Sequence, residues 1–160
     1  MQNNYHYSLI QDSQLQEIGQ VYAECFNSAD IGEHWSEEAA TEFLTYLYKI
    51  QPDMFYVATL DQKIVGGIAG IIKPWCDGKH IHEIELFVHP DHQKRGVASS
   101  LTRELLQTAL EKYQITEFEG IADGNLHDFP LSWYKRLGAA PTGLIHIAGK
   151  PIEMLTKLVK

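Results

Sequence analysis

Residues 85–101, ELFVHPDHQKRGVASSL, run from the end of an apolar strand through a turn into the start of a helix. The first turn of a helix carries unpaired backbone N–H groups and a partial positive charge. Gly96 and Ala98 lack bulky side chains there, so an anion can approach the backbone around Val97 closely. Lys94 and Arg95 bring positive charge beside that backbone, and Ser99 adds a hydroxyl donor. The chemistry is that of a seat for a diphosphate. The spacing is neither the GxxxxGK[ST] of a nucleotide P-loop nor the GxGxxG of a dinucleotide fold, which argues against an oxidoreductase of the latter kind. Two other stretches carry reactive groups. His82, Glu83 and Glu85 follow one another on IHEIELFV, 81–88, and Tyr134 lies in LSWYKRLGA, 131–139.

The elements that must position these groups are legible from periodicity. Tyr5 to Gln11 predicts a strand. Asp12 or Ser13 caps a helix whose apolar residues Leu15, Ile18, Tyr22 and Phe26 recur at spacings of three and four. Ser36 opens a second helix with Phe43, Leu44, Leu47 and Tyr48 on its apolar side, and Pro52 ends it. Met54–Leu60 and Lys63–Ile72 predict a hairpin, in which Gly66 and Gly67 call for a bulge or a close neighbour. Ile81–Val88 alternates Ile84, Leu86 and Val88 with Glu83, Glu85 and Phe87, as a strand with one apolar face does. A long helix follows over about 97–113, then a strand over 115–121 and a short helix from Pro130 closed by Gly138. Gly143–Ala148 and Ile152–Val159 are further strand candidates. The order predicts a single mixed α/β domain over 1–160, layered around one sheet.

Bulk properties narrow the class. The formal charge of −8 argues against nucleic-acid binding and favours cationic partners. No apolar run approaches the roughly 20 residues of a membrane helix. The start, MQNNYH, has no basic or apolar signal character, so a cytoplasmic location is expected. The two cysteines form no CxxC pair and the eight histidines show no zinc-site spacing, so neither a disulfide framework nor a metal site is expected.

With these residues in place, 81–139 resembles the GCN5-related N-acetyltransferase (GNAT) superfamily. Gln93-x-x-Gly96-x-Ala98 is similar to its coenzyme-A motif, and Leu86-Phe-Val-His-Pro90 to the end of its fourth strand. Trp133-Tyr-Lys-Arg-Leu-Gly138 is similar to its later aromatic-basic motif. The resemblance implies a GNAT-like α/β fold, with a mostly antiparallel sheet of about seven strands and about four helices. It implies acetyl-CoA as acyl donor, held through backbone N–H groups from Gln93 to Ser99. Tyr134 matches the family's tyrosine near the coenzyme sulfur, where a phenol of pKa about 10 can protonate a departing thiolate of pKa about 8.5.

An acceptor amine is protonated at neutral pH and must lose a proton before it attacks a thioester. By resemblance the base sits on the fourth strand. The usual slot falls on His82, then Glu83, then Glu85, because a bulge in that strand can shift the facing by one residue. The bulge also frees a backbone N–H at Phe87 or Val88 to polarise the thioester carbonyl. In relatives the first two helices and their loop grip the acceptor. Here they hold Asp30, Glu33 and Trp35, and the loop at 74–78 adds Trp75. Acids beside aromatic rings suit a small cationic amine, such as a polyamine or an aminoglycoside-like amine. The alternatives are a protein or peptide N-acetyltransferase and a non-catalytic acyl-CoA-binding module. A homodimer through the C-terminal strand is a further expectation.

Overall fold

Three consecutive apolar and β-branched runs form the middle of the sheet in a computed structural model of the chain. They are β2 (Phe55–Leu60), β3 (Lys63–Trp75) and β4 (Gly78–Val88). The structure describes residues 4–28, 33–121, 130–143, 150–151 and 154. It divides into two units, Met1–Ile121 and Ala122–Lys160.

In the first unit β1 (His6–Leu9) pairs antiparallel with β2, and the sheet order is β1-β2-β3-β4-β5. β5 (Glu117–Phe118) runs parallel to β4 and pairs with it only at His80↔Glu117 and Ile81↔Phe118. Between β1 and β2 the chain forms α1 (Leu15–Ser28) and α2 (Glu37–Ile50). Between β4 and β5 lies α3 (Val97–Thr108), which continues as a π turn over Ala109–Tyr113. In the second unit α4 (Leu131–Arg136) is the one full element among the described residues.

The class is the expected mixed α/β fold with four helices, but the described residues hold five strands, where about seven were expected. The two tail strands fall almost wholly outside the described residues, and so does the dimer edge they would form. Pro151 and Met154 are helical, and Met154 N–H donates to Lys150 C=O at 3.0 Å, which does not fit a strand beginning at Ile152. The expected helix cap at Asp12 or Ser13 is replaced by a 3₁₀ turn over Asp12–Gln14. There Gln11 N–H donates to Gln14 Oε1 at 2.9 Å, and α1 proper begins at Leu15. Ser36 caps α2 as expected, its Oγ accepting from Ala39 N–H at 3.1 Å.

Each helix buries one stripe on the sheet. Ile18 and Tyr22 of α1 and Leu44 and Leu47 of α2 pack on Phe55, Val57, Ala69 and Phe87. Val97, Leu101 and Leu105 of α3 cover the opposite face with Tyr56, Ile68, Ile81 and Val88. Gly67 has the close neighbours its type suggested: a Cβ there would stand 2.8 Å from Ile18 Cδ1 and 2.9 Å from Phe87 Cζ.

β3 and β4 run past their expected ends and meet at a two-residue turn, Cys76–Asp77, so the expected loop at 74–78 is mostly strand. A charged cluster fixes that end. His80, 4% exposed, shares its ring nitrogens with Glu119 Oε1 (2.6 Å) and Asp77 Oδ1 (2.7 Å). Lys73 Nζ lies 2.6 Å from the other Glu119 oxygen. The Glu119 carboxylate, assisted by Asp77, holds the His80 pKa above its ordinary value, so the two carboxylates favour the charged form of the ring.

Candidate active site

The site is built around a bulge in β4. Ala69 pairs with Glu85 and Ile71 with His82, so the step from His82 to Glu85 on β4 faces a shorter step on β3. Glu83, at φ +51°, absorbs the extra residue. Cross-strand partners share a face, so the bulge puts His82 and Glu85 on the same face of the sheet. That face is the one covered by α1 and α2.

The bulge also sets the backbone. His89 N–H donates to Val65 C=O at 2.9 Å, which marks 89/65 as a hydrogen-bonded pair. Such pairs alternate along an antiparallel ladder, so Phe87 turns its N–H toward β3 while Leu86 and Val88 turn theirs away. Pairing between β4 and β5 has ended by then, at Ile81↔Phe118. The Val88 carbonyl on that outer side accepts from Gln93 Nε2 at 3.0 Å. Gln93 therefore ties the turn to the end of the strand.

Three titratable side chains gather at the bulge. Glu83 is the most exposed, at 58% against 24% for His82, and the two approach to 3.6 Å. Glu85 is half-buried, and its Oε2 accepts from Tyr22 Oη at 3.1 Å. Burial pushes the Glu85 carboxyl up, the Tyr22 hydrogen bond pulls it back, and the negative charges of Glu33 and Glu83 push it up again. The result is a carboxyl of pKa about 7. No cation faces it among these causes, so it is ready to exchange a proton near neutral pH.

The expected acceptor residues divide. Asp30 lies outside the described residues. Glu33 is exposed and accepts from Trp35 Nε1 at 2.7 Å. Asn27 holds the Trp35 backbone from both sides, at 2.8 Å and 2.9 Å. The Trp35 ring packs edge-on against Tyr22, 5.2 Å between centroids, so Glu33 and Trp35 belong to the surroundings of Glu85. Trp75 does not. It stands at the hairpin end, six residues along β3 from Ala69 and so roughly 20 Å away, with Lys73 Nζ 4.7 Å over its ring.

The cradle forms between β4 and α3. Lys94 (φ +59°) and Gly96 (φ +83°) are both left-handed, a tight coil of the kind whose successive N–H groups can face an anion. Gly96 is the N-cap, and no side chain caps the first turn of α3. That turn holds no acidic residue. A Cβ on Gly96 would meet nothing within 4 Å, so the space before the backbone is open. Lys94, Arg95 and Ser99 are exposed, while Val97, 1% exposed, anchors the helix start in the core. These features fit a diphosphate, with no acceptor to displace among the described residues.

Tyr134 lies half-buried on α4 in the second unit, its ring 5.0 Å from that of Trp133. Two residues of the Glu85 surroundings escaped the sequence reading. Tyr22 reads there only as one of the apolar residues of α1, and Asn27 gives no signal of its clamp on Trp35. Among the described residues no group of three or more His, Cys, Asp or Glu could hold a metal ion, and no helix is long and apolar enough to cross a membrane.

A bulged β4 therefore leads, through a left-handed turn, into the open start of α3. The sequence matches the acetyltransferase (GNAT) family model over residues 15–139, and the chain belongs to that family of N-acetyltransferases, whose acyl donor is acetyl-CoA. No curated protein matches the sequence. Several solved structures share the fold. A protein of Pyrococcus horikoshii OT3 superposes with a TM-score of 0.71 at 22% identity, over 90% of this chain and 94% of its own. A Trypanosoma brucei acetyltransferase gives 0.66 at 14% identity, over 92% and 100%. A ribosomal-protein-alanine N-acetyltransferase of Brucella melitensis biovar Abortus 2308 gives 0.68 at 16% identity, over 92% and 99%.

Proposed function

We propose that the protein transfers an acetyl group from acetyl-CoA to a primary amine of a small cationic metabolite, a polyamine or an aminoglycoside-like amine, by direct attack in a ternary complex. The observation that carries this reading is Glu85: a half-buried carboxyl of pKa about 7, at a strand bulge, in a negative field from Glu33 and Glu83. An alkylammonium of pKa about 10 is attracted there and gives up its proton to a base matched to neutral pH.

Backbone N–H groups of Val97, Ala98 and Ser99, with Lys94 and Arg95 beside them, hold the diphosphate. Acetyl-CoA bound there supplies the acetyl group as a thioester. Glu85 accepts one proton of the ammonium, directly or through water, before the neutral nitrogen bonds to the carbonyl carbon. Val88 N–H, turned away from β3, donates to the carbonyl oxygen; Phe87 N–H is committed to β3. Tyr134 gives its phenolic proton to the sulfur as the carbon–sulfur bond breaks, a role that rests on its motif, and solvent takes the second proton of the nitrogen and restores the phenol. His82 shares the face of Glu85 and is the rival base; Glu83 sits in the bulge and attracts the cation. The family match spans both units, which supports one acetyltransferase domain over the whole chain. We place the reaction in the cytoplasm, with no nucleic-acid partner for a chain of charge −8.

The test is release of free thiol from acetyl-CoA against spermidine, putrescine, kanamycin and a peptide with an N-terminal alanine. Release with spermidine, putrescine or kanamycin is expected. Release with the peptide alone would move the assignment to a protein acetyltransferase, and coenzyme binding without release to any amine would reduce the protein to a binding module.

A further inference from the structure

We infer that Tyr22 is a positioning residue for Glu85: its hydroxyl fixes one oxygen of the carboxylate and favours the ionised form. This rests on the reading of Glu85 as the base.

Tyr22 lies on the buried stripe of α1 and is 2% exposed. Its ring is held on four sides, by Phe26 (4.3 Å), Phe87 (4.9 Å), Trp35 (5.2 Å) and Phe43 (5.8 Å between centroids). So enclosed a ring has one orientation, and a hydroxyl in an apolar box needs a partner. The partner is Glu85 Oε2, 63 residues on in the chain and 3.1 Å away.

The donor role is fixed. Burial, then the charge and hydrogen bond of Glu85, then the charges of Glu33 and Cys25, push the Tyr22 phenol far above its ordinary range. Cys25, one turn along α1, is itself pushed up to about 12 by burial and by Glu24, so it stays a neutral thiol at working pH. Tyr22 is therefore protonated wherever the enzyme works and can only donate to the carboxylate. A hydrogen bond to the charged form favours that form. It opposes burial and the charges of Glu33, beyond α1, and Glu83, on β4 itself; His82 is the other titratable group on that face of β4. With Oε2 held, Oε1 is left for the incoming ammonium.

Tyr22→Phe keeps the ring contacts and removes only the donor. Losing a hydrogen bond to a charged group should raise the Glu85 pKa by about one unit. Near pH 7 that lowers the ionised fraction about fivefold, a loss that recovers by pH 9. A merely structural defect would lower the rate equally at every pH.

The experiment follows the side-chain carboxyl carbon of Glu85 by NMR from pH 5 to 9 in both proteins, beside kcat/KM over the same range with acetyl-CoA and spermidine. Equal upward movement of the Glu85 titration and of the acid limb of the rate profile is the expected result. A titration unchanged in Tyr22→Phe overturns the inference. A titration that moves while the acid limb stays put keeps the link between the two residues and overturns Glu85 as the base.

Discussion

The two ends of β4 treat buried charge in opposite ways. At the hairpin end His80 lies between Asp77 and Glu119, which favour its charged form, and Lys73 holds the second Glu119 oxygen. At the bulge, five residues of chain away, Glu85 is half-buried beside two further carboxylates with a single phenol to soften it. The first arrangement satisfies its charges and stabilises the fold, pinning the short β5 to the β3–β4 hairpin. The second leaves a charge unsatisfied, at a cost to stability, and so supplies a group that exchanges protons near neutral pH. On one strand, opposed charges satisfy one another at the hairpin end and like charges crowd together at the bulge.

That contrast can be broken most sharply at Glu85. Glu85→Gln should lower kcat for acetyl transfer by a factor on the order of 10²–10⁴ while the dissociation constant for coenzyme A stays within about twofold. The same substitution should stabilise the protein. A carboxyl raised from 4.5 to about 7 binds protons more tightly in the folded state, so the wild type loses stability as pH climbs through that window. Glu85→Gln should therefore exceed wild type by roughly 3 kcal/mol in urea unfolding at pH 8, and most of the gap should close by pH 4.5.

His80→Gln should do the reverse. The His80 pKa is raised on folding, so its contribution is present below its ordinary 6.5 and fades as pH rises through the folded value. Melting curves should show a lower Tm than wild type at pH 6, with the difference shrinking toward pH 9, and acetyl transfer at permissive temperature should be unchanged. The smallest effect is expected at Glu33, an exposed carboxylate: Glu33→Gln should raise KM for a cationic acceptor about two- to threefold and leave kcat alone.

How much of this was visible in the sequence follows from distance along the chain. The turn and helix start at Gln93 to Ser99 were legible because they depend on local backbone shape, and Gly96 takes the left-handed conformation that its type allows. The helix stripes at Ile18, Leu44 and Leu101 were legible for the same reason. The facing of His82, Glu83 and Glu85 was not. Their facing depends on a bulge that only pairing with β3 defines, and the Glu85 pKa depends on Tyr22 and Glu33, brought in by α1 and the chain beyond it. The hairpin end was misjudged because Pro74 and Gly78 read as loop punctuation, while in the sheet Pro74 pairs with Lys79 and only Cys76–Asp77 turn. The Gln93 side chain carried no signal of its hydrogen bond to the Val88 carbonyl, which only the fold reveals.

The most direct measurement is the pH dependence of kcat/KM with acetyl-CoA and spermidine in wild type, Glu85→Gln and His82→Gln. If Glu85 is the base, wild type shows an acid limb breaking at about pH 7, His82→Gln keeps it, and Glu85→Gln loses it. A limb that survives in Glu85→Gln and disappears in His82→Gln would contradict the assignment and hand the proton to the histidine.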